Sequence, residues 1–302
     1  MATAHQAKTL THLQIAKIAV LTDLSENAAN SLRFAAAIAR GHEASIVLAH
    51  AYMPSSCAYA APEAEMVLQS LDAERQRLKT RLLDEARVPF LRGIRCAVLL
   101  IEGTPKDLLE KLKDADLIVV GTSGERGLGK ATLGSTAETI FRSSSVPVLT
   151  VGPHCNCRGA EETALNTVLY ATDFSAGAAI ALPYALSIAE EQGAQLVLLH
   201  VASDKNVPFS FDRSMASAEP LEALHRLVPN SAGLKSQPMC IVGFGMPNAV
   251  IIGKARNLQA RVIVMGARGA GRFSSVVSHF GGGTAYEVAA NAECPVLTVP
   301  TA

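Results

Sequence analysis

The residues best suited to chemistry form a glycine-rich segment that runs from Gly121 to Thr136, with the sequence GTSGERGLGKATLGST. Glycines allow backbone N–H groups to approach an anion because no Cβ atom stands in the way. Gly134 and Ser135 open an expected helix, whose first N–H groups lack an internal partner and so form an anion site. Ser135 and Thr136 add hydroxyl donors, and each hydrogen bond to a charged phosphate oxygen is worth about 1.5–3 kcal/mol. The segment therefore predicts a phosphate site that needs few lysines or arginines.

A P-loop is the first alternative for this segment. Gly124, Gly129 and Lys130 have the P-loop spacing, but Ala131 stands where a hydroxyl group should hold Mg²⁺. The Gly-x-Gly-x-x-Gly dinucleotide fingerprint is not met at Gly127 either. We therefore favour a nucleotide-binding segment of another kind, with a surface loop that binds nothing as the structural alternative.

Candidate groups for catalysis and metal binding are sparse. His154, Cys155 and Cys157 form the only cluster with metal character, but it lacks a fourth ligand and the Cys-x2-Cys spacing, which favours a polar linker. No Ser/His/Asp grouping or carboxylate pair recurs along the chain. The sequence thus predicts no catalytic residue, no metal site and no fast enzymatic reaction.

An internal repeat organises the rest of the chain. Its segments recur in the same order at an offset near 150 residues: 20–25 and 170–175, 46–50 and 196–200, 103–105 and 245–247, 117–121 and 262–266, 146–150 and 294–298. A polar, turn-rich junction separates the two halves. The repeat predicts two domains, 1–153 and 163–302, which we call the first and second copy.

Each copy alternates short apolar runs with helical patterns. The Val/Ile/Leu runs are typical of strands buried on both faces. In the first copy we expect helices from Ser25 to about Arg40, over 63–87 with a solvated charged face, from Thr104-Pro105, and after Gly134. Five strands alternating with four helices predict a doubly wound parallel α/β sheet in each copy. Ligands of such sheets bind beyond the carboxyl ends of the strands.

Composition narrows the classes of function. The chain has 302 residues, 49% hydrophobic and 18% charged, and its 27 Lys and Arg balance its 27 Asp and Glu. Zero net charge predicts neither a nucleic acid partner nor a membrane partner, since both attract positive proteins. No apolar run approaches the roughly 20 residues that span a bilayer. Scattered cysteines fit a reducing compartment, so we expect a cytoplasmic protein.

The glycine-rich segment and several other motifs of the chain resemble those of a known protein family. The spacing of Gly121, Gly124, Gly134 and Ser135 resembles the ATP-binding signature of universal stress proteins. The resemblance covers about 15–152 and 165–300. It extends to Thr22-Asp23, His50, Gly103-x-Pro105, Ala137-Glu138 and Val146-Pro147-Val148-Leu149.

The resemblance implies a fold, a ligand and the residues that hold it. It implies strand order 3-2-1-4-5, as in adenine nucleotide alpha hydrolase-like proteins, and ATP as the ligand, with Mg²⁺ or Mn²⁺ as an accompanying cation. The implied contacts are Leu21, Thr22 and Asp23 at the adenosine end, Ala51 at the base, and Gly121, Ser123, Gly124, Gly134, Ser135 and Thr136 around ribose and phosphates.

The second copy departs from this pattern. Asp173, Gly266 and Gly269 match, and Gly282-Gly283 falls at the Gly-Ser position. Twelve residues (270–281) then stand where the motif has nine, and Gly283 in place of Ser135 removes a hydroxyl donor. We expect the second site to bind ATP less well or to be structural.

Several residues have simpler interpretations. Asp23 has the alternative role of a helix cap, and Glu138 is typical of an exposed or capping helix residue. His50 and His200 are more typical of hydrogen-bonding or packing residues than of catalysts. Cys294 is interpreted as a core residue.

The leading functional hypothesis is an ATP-binding stress-response sensor or regulator, with a slow ATPase or nucleotide hydrolase and a nucleotide-free scaffold as alternatives. Strand 5 of each copy (146–151 and 295–299) is an expected sheet edge with unpaired backbone groups. We predict that these edges pair within one chain as a pseudo-dimer, with a dimer of chains equally open.

Overall fold

The computed structural model describes residues 14–25, 28–54, 64–122, 133–153, 155, 166–202, 213–228, 233–267 and 283–301. Strands and helices alternate through the first copy. They are β1 (Lys17–Leu21), α1 (Ala28–His42), β2 (Ser45–Tyr52), α2 (Ala64–Glu85), β3 (Cys96–Glu102), α3 (Pro105–Lys111), β4 (Leu117–Gly121), α4 (Ser135–Ser143) and β5 (Val148–Val151). A 3-10 turn (Pro89–Leu91) precedes β3.

The second copy repeats this order with one change, because two helices follow its first strand. Its elements are β6 (Thr167–Thr172), α5 (Ala176–Ala179), α6 (Leu182–Gln192), β7 (Gln195–Ala202), α7 (Arg213–Leu227), β8 (Met239–Phe244), α8 (Pro247–Asn257), β9 (Val262–Ala267), α9 (Thr284–Asn291) and β10 (Val296–Pro300).

All ten strands form one sheet in the order β3-β2-β1-β4-β5-β10-β9-β6-β7-β8. Strands of the same copy pair in parallel. Counted within each copy, the order is 3-2-1-4-5, which confirms the predicted fold class. The central strands are buried along almost their whole length, as expected for a sheet covered by helices on both faces.

The two copies meet where β5 pairs antiparallel with β10. The hydroxyl of Thr150 donates to the carbonyl oxygen of Val296, and the hydroxyl of Thr298 donates to that of Val148, both at 3.2 Å. These reciprocal bonds give the junction a pseudo-twofold symmetry. The predicted pairing of the strand 5 edges is confirmed within the chain, and it joins the two predicted sheets into one.

The apolar core is continuous on only one face of this sheet. A single cluster under α1, α2, α6 and α7 contains residues of both copies. On the opposite face, one cluster lies under α3 and α4 and a separate one lies under α8 and α9. The copies therefore share a core and are not two independent bodies joined by a linker.

The helix after the first strand differs from the prediction in the second copy. Four helices were expected per copy, but α5 ends at Ala179 and α6 starts at Leu182, with Pro183 in its first turn. Proline lacks an N–H group, so it cannot continue the hydrogen bonds of a preceding helix. The hydroxyl of the buried Tyr170 donates to the carbonyl oxygen of Ala178 at 2.9 Å, just before the break.

Two cysteines near the copy junction pack into the apolar clusters. Cys155 is 2% exposed and belongs to the shared core cluster, so its interpretation as part of a polar linker is wrong. Its hydrophobic thiol packs under the sheet end. Cys294 packs against the cluster under α8 and α9, and burial raises its thiol pKa to about 12, in agreement with a core role.

Candidate functional site

The turn that follows the first strand has the same geometry in both copies. The N–H of Leu24 donates to the hydroxyl oxygen of Thr22 at 2.9 Å, and the N–H of Phe174 donates to that of Thr172 at 3.0 Å. Leu24 and Phe174 have left-handed backbones, with φ of 62° and 60°. Such backbones are unfavourable for bulky side chains, and the bond to the threonine hydroxyl helps to stabilise each turn.

A histidine at the end of the second strand supports each turn. Nδ1 of His50 lies 2.8 Å from the carbonyl oxygen of Thr22, and Nδ1 of His200 lies 2.9 Å from that of Thr172. A carbonyl oxygen only accepts, so Nδ1 is the protonated ring nitrogen in both. The predicted hydrogen-bonding role of these histidines is confirmed.

The aspartate of this turn is exposed in both copies. Oδ1 of Asp23 accepts from the N–H of Ser25 at 3.0 Å and from its hydroxyl at 2.5 Å. Oδ1 of Asp173 accepts from the N–H of Ser175 at 3.0 Å. In the second copy it is Ser175, and not Asp173, that caps the following helix. The carboxylate therefore stabilises the turn and presents a negative group at the sheet edge.

The two ends of the glycine-rich segment meet at the carboxyl end of β4. The N–H of Gly134 donates to the carbonyl oxygen of Thr122 at 2.8 Å, while the N–H of Thr122 donates to that of Val151 at 3.0 Å. Gly134 is the N-cap of α4, and no side chain caps the helix. Because β4 pairs with β1, this helix start lies on the same sheet edge as the Asp23 turn.

The other predicted contacts lie around this edge. Leu21 and Thr22 are buried, Ala51 is half-buried two residues beyond the β2 position that pairs with Leu21, and Ser135 and Thr136 are exposed on the first turn of α4. The structure thus brings the predicted residues of β1, β2, β4 and α4 to one edge. Ser123, Gly124, Gly269 and Gly282 lie outside the described residues.

Two buried hydroxyl groups near this edge were not predicted. The hydroxyls of Ser31 and Thr122 are buried and have no hydrogen-bond partner among the residues that the structure describes. A Cβ atom placed on Gly121 would lie 3.2 Å from the Ser31 hydroxyl, which puts Ser31 beside the end of β4. At the repeat positions the second copy has Ala181 and Ala267. That exchange of hydroxyl for methyl is the sequence signal that could have revealed them.

The end of α2 holds the β1 turn from the other side. A guanidinium N–H of Arg81 donates to the carbonyl oxygen of Leu24 at 2.7 Å, and the Thr22 hydroxyl donates to the Glu85 carboxylate at 3.2 Å. Burial raises the pKa of Glu85, and the Thr22 bond and Arg81 oppose this shift. The prediction that α2 presents only a solvated charged face is therefore wrong at these two residues.

In the second copy, backbone packs against the end of the fourth strand. A Cβ atom placed on Gly266 would lie 2.6 Å from the carbonyl carbon of Gly177 and 2.9 Å from Cα of Ala178. These atoms belong to α5, which stops short at the helix break. Only glycine fits at Gly266, so this glycine serves helix packing.

The helix at the end of the second glycine-rich segment starts one residue later than the motif alignment predicts. Gly283 is the N-cap of α9, as Gly134 is of α4, and Thr284 is its first residue, as Ser135 is in α4. Thr284 therefore takes the place of Ser135, and the hydroxyl residue that the second helix start lacks is the one at Thr136, where Ala285 stands.

The described residues also bear on metal binding and on membrane insertion. Within the described ranges, no three His, Cys, Asp or Glu side chains come together as a metal site. None of the helices in that part of the chain combines the length and apolar character needed to cross a membrane.

Comparisons with known proteins agree with this architecture. The model of the universal stress protein family matches residues 14–152 and again 165–300. A universal stress protein of Mycolicibacterium smegmatis is 27% identical over 294 residues, which cover 93% of this chain and 96% of the relative. One from Thermus aquaticus is 31% identical over 133 residues, 43% of this chain and 93% of the relative.

Solved structures give the same result for the fold. A universal stress protein from Archaeoglobus fulgidus superposes with a TM-score of 0.69 at 21% identity, over 94% of this chain and 98% of that one. A protein of unknown function from Pseudomonas aeruginosa PAO1 has a TM-score of 0.60 at 17% identity, over 96% and 94%. The chain belongs to the universal stress protein family, and it carries two copies of the family domain.

Proposed function

We propose that the first copy binds ATP and that the protein acts as a nucleotide-responsive regulator in stress physiology. The observation that carries this proposal is the bond between Gly134 N–H and the carbonyl oxygen of Thr122. It places both ends of the Gly-x2-Gly-x9-Gly-Ser segment beside the uncapped start of α4. The first N–H groups of that helix and its hydroxyl residues are suited to phosphate oxygens.

The adenosine end of the proposed site lies at the ends of β1 and β2. Asp23 is exposed there in a turn fixed by Thr22, His50 and Arg81. A turn held from three sides keeps its shape before the ligand arrives, which lowers the ordering cost of binding. A carboxylate at this position is suited to accept hydrogen bonds from ribose hydroxyls or from an adenine amino group.

Buried hydroxyls support the assignment to the first copy. Leaving a buried hydroxyl without a partner costs about 1–3 kcal/mol, and Ser31 and Thr122, near the end of β4, are two such groups when partners are counted among the described residues. The second copy has alanine at both repeat positions. A cost confined to one copy is typical of a ligand site, because the bound ligand or its water then supplies the missing partners.

Calorimetric titration with ATP, in the presence and absence of Mg²⁺, tests the proposal. The wild-type chain should bind ATP, and the Asp23→Ala/Gly124→Val double variant should not. The matched control is Asp173→Ala/Gly269→Val, which changes the repeat positions in the second copy and should retain the binding. No heat of binding in the wild type, or undiminished binding in the first double variant, contradicts the proposal.

We propose that nucleotide occupancy, and not turnover, is the signal. Phosphate release should stay at background with either Mg²⁺ or Mn²⁺. Steady release that disappears in the Asp23→Ala/Gly124→Val variant would instead support the slow ATPase alternative.

A further inference from the structure

Helix α2 holds the turn that carries Asp23 through two side chains at its C-terminal end. A guanidinium N–H of Arg81 donates to the carbonyl oxygen of Leu24 at 2.7 Å, and the Glu85 carboxylate accepts from the hydroxyl of Thr22 at 3.2 Å. Arg81 and Glu85 have the i, i+4 spacing, so they lie on one face of the helix. Because Thr22 and Leu24 flank Asp23, α2 contacts the turn on both sides of the aspartate.

The Glu85 carboxylate also determines how the Thr22 hydroxyl is used. A hydroxyl has one proton to donate and two lone pairs that can accept. Because the Thr22 proton goes to Glu85, a lone pair of the same oxygen is available to the N–H of Leu24, which donates to it at 2.9 Å. The left-handed Leu24 is thus held at its N–H by Thr22 and at its carbonyl oxygen by Arg81. Both bonds involve α2, one directly and one through Thr22.

The C-terminal end of α2 is also where this helix joins the core. Among its side chains that the structure describes, only that of Leu82 is buried, and Leu78 packs against the shared core cluster. The side chains nearer the start of the helix are largely exposed, and that of Leu68 is 61% exposed. A segment with few buried contacts opens locally at low cost, so its bonds to the turn contribute much of its order.

The second copy keeps the turn and lacks the two side chains that bond to it. The Gly-x-Pro segments after β3 and β8 are offset by 142 residues, and the same offset aligns Leu82 with Leu224, both fully buried in the shared core. It replaces both hydrogen-bonding residues of α2 by aliphatic ones, Arg81 by Ala223 and Glu85 by Leu227. Since both turns have the same shape, these bonds are not needed to form the turn. They connect it to a helix in the first copy alone.

We propose that α2 is coupled to nucleotide occupancy of the first copy through Arg81 and Glu85, which are positioning residues for the Asp23 turn. The nucleotide part of this inference rests on the proposed function, in which Asp23 lies at the adenosine end. A turn held in shape before the ligand arrives lowers the ordering cost of binding. Because coupling between sites is reciprocal, ATP also stabilises the C-terminal end of α2. The order of α2 then reports whether the site is occupied.

The first test needs no nucleotide. Hydrogen exchange is measured by NMR at Leu24 and Ser25, whose amides are bonded within the turn. Arg81→Met and Glu85→Met keep most of the side-chain volume and remove the hydrogen-bonding group, so exchange should be several-fold faster. Arg81→Lys keeps a donor and Glu85→Gln keeps an acceptor, so both should restore slow exchange. Wild-type exchange in both Met variants, or no rescue by Lys and Gln, overturns the positioning role.

Arg77→Met is the matched control for charge. Arg77 is exposed on the preceding turn of α2, and its substitution removes the same positive charge as Arg81→Met. Exchange at Leu24 and Ser25 should stay as in the wild type. Exchange as fast as in Arg81→Met would assign the effect to lost charge and overturn the role of the bond to Leu24.

The second test measures ATP affinity in the same full-length variants. The Kd should rise about fivefold or more in Arg81→Met, within the usual range of coupling between sites, and stay unchanged in Arg77→Met. An unaltered Kd together with faster exchange in the turn overturns the nucleotide part of the inference. A wild type that does not bind ATP contradicts the proposed function, while exchange in the turn still decides the positioning role.

The third test examines the reciprocal effect on the helix. Saturating ATP should slow hydrogen exchange of the amides from Leu78 to Glu85 in the wild type, because the occupied turn holds this end of α2 more firmly. The same amides should not respond to ATP in the Arg81→Met/Glu85→Met double variant. A wild type that binds ATP with no change in these amides overturns the proposal that α2 reports occupancy.

Discussion

The two copies share the turn that follows their first strand, and they differ in the side chains beside that turn. Threonine, histidine and aspartate make the same bonds in each turn, with distances that agree within 0.1 Å. Beside these turns, Ser31 and Thr122 are matched by Ala181 and Ala267. Both copies thus keep the turn that borders the proposed site, while the hydroxyl residues at these two positions occur only in the first copy.

The helix after that turn explains part of the difference. In the first copy, Val20 of β1 lies under a continuous α1, whereas Tyr170 at the same repeat position bonds to Ala178 beside the break between α5 and α6. The shortened α5 then packs its backbone on Gly266. The same glycine position therefore has two roles, as a candidate ligand contact in one copy and as a packing site in the other.

The largest expected effect comes from adding a methyl group at this glycine. Gly266→Ala puts Cβ against α5 backbone atoms that cannot move independently, so it should lower the free energy of unfolding by about 3 kcal/mol. Gly121→Ala meets only the Ser31 hydroxyl at 3.2 Å, which can rotate, and should cost less than about 1 kcal/mol. Urea unfolding midpoints measure both variants. Equal losses would show that the two glycines have the same role.

The buried hydroxyl of Thr122 gives the next largest effect. Thr122→Val keeps the shape and removes a hydroxyl that has no partner among the described residues, so it should stabilise the nucleotide-free protein by about 1 kcal/mol and weaken ATP binding about tenfold. The reverse change, Ala267→Thr, should lower stability and leave ATP affinity unchanged. Thermal unfolding and calorimetry measure these effects. A loss of stability in Thr122→Val without ATP would mean that the hydroxyl is already satisfied.

Helix capping also distinguishes the copies, with a small expected effect on the free energy of unfolding. Thr104 and Asp107 form a capping box at the start of α3, whereas α8 has Met246 at its N-cap and no side-chain cap. Thr104→Ala should cost about 1 kcal/mol. The double change Met246→Thr and Ala249→Asp introduces a capping box in α8. It should raise the free energy of unfolding by about the same amount. If the rebuilt box adds nothing in urea unfolding, capping does not separate the two copies.

The smallest expected effect depends on pH and involves Glu85, whose repeat position in α7 is occupied by Leu227. Burial raises its pKa above the ordinary value of 4.5, so the folded state keeps this proton to higher pH than the unfolded state does. Stability must therefore fall as pH rises from about 4.5 through the folded pKa. Glu85→Gln should remove this fall and unfold at a higher temperature at pH 7.

The exposed Glu110→Gln in α3 is the matched control for that pH profile and should leave it unchanged. A Glu85→Gln profile that runs parallel to the wild type would show that Glu85 titrates alike in the folded and unfolded states.

Much of the architecture follows from the sequence because its signals are local and repeated. The Val/Ile/Leu runs predict buried strands, Thr104-Pro105 predicts a helix start, and the order of repeated motifs predicts two domains of one kind. The resemblance to universal stress proteins also gave the strand order. Each of these signals lies within a few residues of the element that it describes, or recurs at a fixed offset, so no contact between distant residues is needed to recognise it.

The features that only the tertiary structure decided are contacts between residues far apart in the chain. The burial of Cys155, the clamp of Arg81 and Glu85 on the β1 turn, and the edge-to-face contact between Tyr286 and Phe141 of α4 arise where distant segments pack together. Burial and hydrogen bonding are properties of the folded state. The free energy of burying a hydroxyl or a carboxylate therefore depends on which neighbours the fold places beside it. The sequence by itself therefore determined two similar copies and the positions at which their motifs differ, whereas packing determined which of their side chains are buried or paired and how the copies meet.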